Sequence, residues 1–273
     1  MEKNNPVPVL VTFDGEARSG KGTIVQATKD HLRDNTGHKV MLIDAGQVFR
    51  VLVVAATRSG VDLNDPAAID AFLGSDVHAE ECVQLVRDVY HMDKDERDAL
   101  LYTNEVGENS AKVGARPLSQ QFKDELLKKW LRDARIEGYE IVLLDGRALE
   151  EVGTVLENEG LCDFRLALYF ICDPVVGARR TLGFATRAYD DLNDDEKKSV
   201  DTLVGQIKVR NDADRERPVQ PLLRPAGVSK SILPDVVPSD REDRPTYLLD
   251  TSKDMTKEEM SSSVITLVAE TVA

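Results

Sequence analysis

The stretch Phe13–Thr23, FDGEARSGKGT, sets three glycines and a lysine behind an apolar run and ahead of a helical pattern. Val7–Phe13 is rich in Val and reads as a buried strand. Ile24, Val25, Ala27, His31 and Leu32 recur at the spacing of one helix face. Strand, glycine-rich loop and helix, in that order, is the setting in which a loop can wrap a phosphate. Gly15, Gly20 and Lys21 fit G-x-x-x-x-G-K, with Gly22 next and a hydroxyl one position later at Thr23. Glycines let backbone amides turn inward without a Cβ in the way. Together with the positive end of the following helix, those amides make an anion nest. Lys21 adds a full charge where terminal phosphate oxygens would lie. The stretch therefore predicts a phosphate site lined by Gly15, Glu16, Ala17, Arg18, Ser19, Gly20, Lys21, Gly22 and Thr23.

Outward from this loop, five apolar runs read as strands: Val7–Phe13, Lys39–Ile43, Tyr139–Leu144, Arg165–Ile171 and Thr246–Leu249. Helical patterns separate them, which predicts an α/β fold, a mostly parallel sheet with helices on both faces. The runs ending TFDG, LIDAG and LLDGR each place an acid and a glycine at a carboxyl end, the edge where ligands gather in such sheets. Asp145, which closes IVLLD, is thus the acid expected to organise Mg²⁺ and its waters, with the Thr23 hydroxyl as the other metal-side group. Gln47–Glu137 is largely helical and without repeats. Within it, Val77, Cys82, Leu85, Val86 and Val89 predict a helix, and His78 and His91 read as surface residues. Thr181–Ser199 is polar and acidic, a mobile flap or surface helices, and Arg224–Thr246 reads as a long loop.

The 273 residues hold 41% hydrophobic side chains, enough for one sizeable core, and are read as a single domain with inserted pieces. A formal charge of −14 argues against a nucleic-acid partner and requires any bound phosphate to be held by a local group of cations. No apolar run approaches a membrane span, and the polar Met1–Asn5 does not resemble a signal peptide. Cys82, Cys162 and Cys172 have no metal or redox spacing and read as buried reduced thiols of a cytoplasmic protein.

The segments FDGEARSGKGT, DAGQVFR, TNEVGENSAKVGARP, LLDGR, IKVRNDADRERPVQPL and YLLDTSKDMTKEEM resemble the cytidylate kinase family of P-loop nucleoside monophosphate kinases, in family order along most of the chain. The R-x-x-x-D-x-x-R block before Pro-Leu is the most specific of them. The resemblance implies a P-loop NTPase fold, with a five-stranded parallel sheet, an NMP-binding insertion at 47–137 and a short lid at 178–200. It implies transfer of the ATP γ-phosphoryl group to a (d)CMP-like acceptor with Mg²⁺. The protein is then expected to act as a monomer on a nucleoside monophosphate, with no nucleic-acid or membrane partner. Arg50, Arg147 and Arg217 match positions that hold the acceptor phosphate; Arg210 and Asp214 match positions near its phosphate and sugar. Asp44, Gly46 and Gln120 complete the implied acceptor set. Lys21, Asp145, Arg147 and the lid arginines Arg179 and Arg187 form the implied catalytic set, with Arg180 nearby. Arg210, Asp214 and Arg217, at i, i+4 and i+7, are expected on one helix face, which alone would read as a salt-bridged surface.

Departures from the family pattern cluster by role. Ala45, Phe49, Tyr102, Ala111, Gln120 and Ala148 stand where the family usually places Ser, Tyr, Arg, Ser, Arg and Asp. By resemblance these positions read or surround the base, whereas the retained ones grip phosphate and sugar. Ala148 offers no acceptor to an exocyclic amino group, and Gln120 can both donate and accept. The expectation is intact phosphoryl transfer with cytosine preference weakened or replaced. Two rival readings are a P-loop kinase for another phosphorylated acceptor and a nucleotide-binding module without turnover. A GTPase switch lacks support, since the chain has no N-K-x-D signature.

Overall fold

The computed structural model describes residues 5–273, so the first four residues of the polar leader lie outside it. The strands are β1 (Val9–Gly15), β2 (Val40–Asp44), β3 (Ile141–Asp145), β4 (Asp163–Ile171), β5 (Lys230–Ile232) and β6 (Thr246–Asp250). They form one sheet in the order β2-β3-β1-β4-β6-β5. β1 pairs in parallel with β3 and β4, and β6 with β4 and β5. The five expected strands are present. The sixth, β5, lies in the stretch read as a loop: only three residues long and exposed at both ends, Lys-Ser-Ile carries no hydrophobic periodicity to announce it.

The chain divides into two compact units. The first comprises 1–43, 128–216 and 220–273; the second comprises 44–127 and 217–219. In the first, alternation along the strands sends Val11, Phe13, Leu168 and Phe170 to one face, where helices α1 (Lys21–Asn35) and α11, the C-terminal helix at Lys257–Val272, bury Ile24, Val25, Leu32, Val264 and Val268 against them. The rings of Phe13 and Phe170 stack with centroids 6.1 Å apart. Thr12, Asp14 and Tyr169 alternate to the other face, which helix α8, counted in chain order at Leu149–Asn158, also meets.

β1 and β4 come together most closely at the start of the phosphate loop. A Cβ on Gly15, whose φ is +137°, would lie 2.2 Å from the Phe170 carbonyl oxygen, and the Glu16 amide donates to that carbonyl at 2.9 Å. Gly15→Ala is expected to lower Tm by about 10 °C, because backbone rather than a pliant side chain blocks the methyl. Thermal melting checks this, and an unchanged Tm would contradict the packing described.

The second unit is helical: α2 (Ala45–Arg58), α3 (Pro66–Leu73), α4 (Asp76–His91), α5 (Lys94–Leu101), α6 (Asn104–Gly114) and the start of α7 (Pro117–Glu137). α2 packs on α4, α5 and α6. α4 buries Cys82, Leu85, Val86 and Val89 of the predicted stripe but leaves Val77, in its first turn, exposed, while His78 pairs with Glu81 at the surface and His91 is exposed. Caps begin these helices where the sequence supplies them: Asp44, Asp65, Asp93 and Thr103 each accept an amide from the first turn. All three cysteines are free and buried, and desolvation pushes the thiols of Cys82 and Cys162 up to about 12.

Candidate active site

In the first unit the loop Gly15–Thr23 joins the carboxyl end of β1 to α1, as its sequence predicts. Gly20 caps the helix at φ +85°, with Met260 Sδ 2.8 Å from where its Cβ would be. Lys21, in the first turn, is ion-paired with Asp145 at the end of β3, and both side chains are largely buried. Two residues along, Arg147 is ion-paired with Asp214, their side chains 15% and 11% exposed. Asp214 lies on helix α10 (Asp194–Arg215). A single turn, Asp145–Arg147, therefore carries an acid on the loop lysine and an arginine on the α10 acid.

Asp14 ties that turn to the loop. Its carboxylate accepts from the Gly15 and Leu149 amides, each at 2.6 Å. Burial pushes the Asp14 carboxyl above the ordinary carboxylate value, against the pull of the Leu149 amide and the Lys21 charge. The loop is held from α10 as well: the Asn211 side-chain oxygen accepts from the Ala17 amide at 2.8 Å. The Thr251 hydroxyl sits 2.8 Å from the Ser19 carbonyl. Arg18 and Ala148 both adopt left-handed backbone, φ +60° and +57°, conformations that non-glycine residues keep only where surrounding contacts hold them.

The arginines expected in a lid engage acids of their own unit. On helix α9 (Pro174–Thr181), buried Arg179 pairs with Asp254 at 2.7 Å and also donates to the Arg187 carbonyl. Arg180 donates to the Lys253 carbonyl, and Arg187 forks onto Glu196 at 2.7 and 2.8 Å. Arg179 and Arg187 are thus brought together, with Arg187 meeting Arg179 through its backbone. Arg210 is exposed on α10, one turn before Asp214. The expected shared face does not extend to Arg217. α10 ends at Arg215 with Glu216 as its cap, and Pro218 disfavours helical backbone at Arg217, which falls in the 217–219 segment of the second unit.

In the second unit Asp44 caps α2 through the Gln47 amide at 3.1 Å and accepts the Tyr102 hydroxyl at 3.2 Å. A Cβ on Gly46 would lie 3.1 Å from that carboxylate. Partial desolvation, and then the Asp44 charge, push the Tyr102 phenol up to about 12, so it stays a donor. The Arg50 guanidinium lies over the Tyr102 ring, 4.6 Å from its centre, and donates to the Leu101 carbonyl at 2.8 Å. Tyr102 therefore orients Arg50 by stacking, a role that the missing family arginine gave no reason to expect. Gln120 is buried and its amide nitrogen donates to the Gly114 carbonyl, and the Phe49 ring lies 3.4 Å from where a Cβ on Gly114 would be. This leaves the Gln120 carbonyl oxygen as the remaining acceptor. Ala111 follows Ser110 on α6 and brings no polar group.

Among the described residues, no group of three or more His, Cys, Asp or Glu side chains gathers into a metal site. Mg²⁺ suits what is there, an exposed Thr23 hydroxyl and one carboxylate at Asp145, because it keeps several waters and takes phosphate oxygens beside one or two protein groups. No helix among the described residues is long and apolar enough to cross a membrane.

Comparison with known proteins agrees with this geometry. The family model described as cytidylate kinase matches residues 11–231. The cytidylate kinase of Aeromonas hydrophila is 28% identical over 215 residues, 78% of this chain and 81% of its own length. That of Azotobacter vinelandii is 27% identical over 224 residues, 79% and 83% of the two chains. That of Vibrio vulnificus is 29% identical over 227 residues, 83% and 87%. With a phosphate loop at the carboxyl end of β1, its lysine on Asp145 and the family model spanning most of the length, the chain belongs to the cytidylate kinase family of nucleoside monophosphate kinases.

Proposed function

We propose that this protein transfers the γ-phosphoryl group of ATP to a (d)CMP-like nucleoside monophosphate, with Mg²⁺. The observation that carries the reading is the turn 145–147: Asp145 meets the loop lysine, and Arg147, two residues on, meets the acid of α10. In this reading the donor triphosphate lies along the loop amides beyond Ala17, since those of Gly15, Glu16 and Ala17 already donate to Asp14, the Phe170 carbonyl and Asn211, with Lys21 on its terminal phosphates, and Arg147, Arg50, Arg210 and Arg217 grip the acceptor. Both anions replace a carboxylate already facing the cation, so each cation waits oriented in a largely desolvated position. An oxygen of the acceptor phosphate attacks the γ-phosphorus, the bond to the bridging oxygen breaks, and ADP leaves with a nucleoside diphosphate. Arginine suits this work because its planar fork binds phosphate oxygens two at a time. Thr23 and Asp145, directly or through water, would hold Mg²⁺, which supplies charge to the transferring group. We read the insertion at 47–137 as the NMP-binding part and 178–200 as the lid; the separate helical unit at 44–127 and the Arg179–Arg187–Glu196 network support that reading. We read the protein as a cytoplasmic monomer, a setting in which three free buried thiols stay reduced.

Base recognition differs from the family pattern in this reading. Ala148 removes the acceptor for the cytosine amino group, and Gln120, whose amide nitrogen is taken by the Gly114 carbonyl, offers its carbonyl oxygen as an acceptor instead. A lost hydrogen bond of this kind costs about 1–3 kcal/mol, so discrimination between CMP and UMP is expected to fall by roughly tenfold per lost contact. Steady-state kinetics with CMP, dCMP, UMP and AMP, reading acceptor-dependent ADP release, test both parts. Turnover with a shallow base preference is the expected result. A steep preference for CMP would reject the altered base set, and ATP binding without any acceptor-dependent turnover would reject the kinase reading itself.

A further inference from the structure

One residue of the phosphate loop is an acid, where a triphosphate would be repelled. Glu16 is buried, its side chain 5% exposed, directly after Gly15. Its Oε1 accepts from Arg215 Nη2 at 2.8 Å and from Arg224 Nε and Nη2 at 3.2 and 2.6 Å. Arg215 also pairs with Asp212 at 2.9 Å, so two guanidinium groups balance two carboxylates and the neutralised acid does not set the loop against phosphate. The arginines come from different places. Arg215 is the last residue of α10; Arg224 belongs to the strap after it, seated by buried Leu222, whose amide donates to the Asp214 carbonyl at 2.8 Å.

Asn211 and Arg215 are four residues apart and lie on one face of α10, bonded to the consecutive loop residues Ala17 and Glu16. Arg210 and Asp214, again four apart, are each one residue before them and so lie on the adjoining face. The helix is thus bolted to the donor loop along one face and presents its acceptor-side groups from the next.

We propose that Glu16 is a positioning residue for phosphoryl transfer: by holding Arg215 and Arg224 on one carboxylate oxygen, it sets the spacing between the donor loop and the groups that α10 offers the acceptor. Phosphoryl transfer depends on alignment, and a misplacement of about 1 Å can cost a hundredfold in rate. The ATP contacts themselves, loop amides and Lys21, do not pass through Glu16. The burial is asymmetric, since Arg215 and Arg224 are 39% and 52% exposed and can return to water when the acid is neutralised. Loss of the charge therefore loosens the bolt without stranding a buried cation.

The test is Glu16→Gln, which keeps the size and removes the charge, beside Arg224→Ala and the double variant. The expected result for Glu16→Gln is a kcat lower by about tenfold or more, with KM for ATP changed by less than about threefold. Arg224→Ala is expected to lower kcat in the same direction, and the double variant to be no slower than Glu16→Gln alone, because both remove one interaction. Glu16→Asp is expected to recover part of the rate. Wild-type kcat in folded Glu16→Gln overturns the proposal, as does a rise in KM for ATP at constant kcat, or losses that multiply in the double variant. If Glu16→Gln fails to fold, Arg224→Ala on the exposed strap carries the test, and wild-type kcat there overturns it. The proposal rests on α10 facing the acceptor, which Asp214→Ala examines separately: an unchanged acceptor KM in that variant would remove the assignment of α10 and leave the Glu16 kinetics to be read alone.

Discussion

Lys21→Met is expected to lower kcat by roughly 10²–10³-fold, the loss found when a preorganised charge is taken from a developing anion. The lysine occupies the first turn of α1, where the helix start and the loop amides already favour an anion, and it adds a full positive charge there. Its pairing with Asp145 means that the free enzyme holds the ammonium in place before nucleotide arrives. Methionine keeps the length of the side chain and removes the charge, so binding through the amides should survive while turnover does not. Acceptor-dependent ADP release reads the rate, and nucleotide titration reads the affinity. A rate within about threefold of wild type would show that another cation meets the transferring group.

Arg147→Ala is expected to do two things at once. Asp214 is left buried without its main partner, which costs about 3–5 kcal/mol and should lower Tm on the order of 10 °C. The acceptor phosphate also loses a guanidinium, so kcat/KM for the acceptor falls by two orders of magnitude or more, on the order of one bidentate contact in a desolvated site. The double variant Arg147→Ala, Asp214→Ala separates these effects. Removing both charges should restore much of the Tm, whereas turnover should stay lost. Recovery of turnover in the double variant would mean that the pair is structural and that the acceptor is held elsewhere.

The parts of this molecule legible in its sequence are those with a local cause. Val7–Phe13 followed by glycines and a helical stripe predicts β1, the loop and α1, because period, turn chemistry and charge agree within two dozen residues. Cys82, Leu85, Val86 and Val89 likewise announce α4. The parts not legible are long-range. Asn211, Arg215 and Arg224 meet the loop across 194, 199 and 208 residues of chain, and no spacing in the sequence relates them to it. A buried-acid signal did exist, since Glu16 within a phosphate loop requires cations nearby, but not their positions. The i, i+4, i+7 count carries the α10 face on to Arg217, but the helix ends at Arg215, two residues short, because Pro218 disfavours helical backbone before it. β5 escaped because its pairing with β6, not its own three residues, makes it a strand.

The residues proposed to face the base show a similar division. Ala148 is buried at φ +57°, so its backbone and not its side chain is what the turn after Arg147 uses. Tyr102 replaces an expected cation with a ring that carries Arg50 and a hydroxyl that meets Asp44. On the proposed reading the phosphate grip is kept while the polar groups around the base are redrawn, so a shallow base preference is expected alongside full phosphoryl transfer.

The central claim is that the turn 145–147 serves two phosphate sites side by side, with Lys21 on one and Arg147 on the other. Calorimetric titration with a bisubstrate analogue, adenosine and cytidine joined through five phosphates, tests it most directly. The account predicts binding roughly 100-fold tighter than ATP or CMP alone, with the gain abolished by Arg147→Ala and by Lys21→Met. An analogue that binds no tighter than ATP, or whose affinity is indifferent to Arg147, would contradict it.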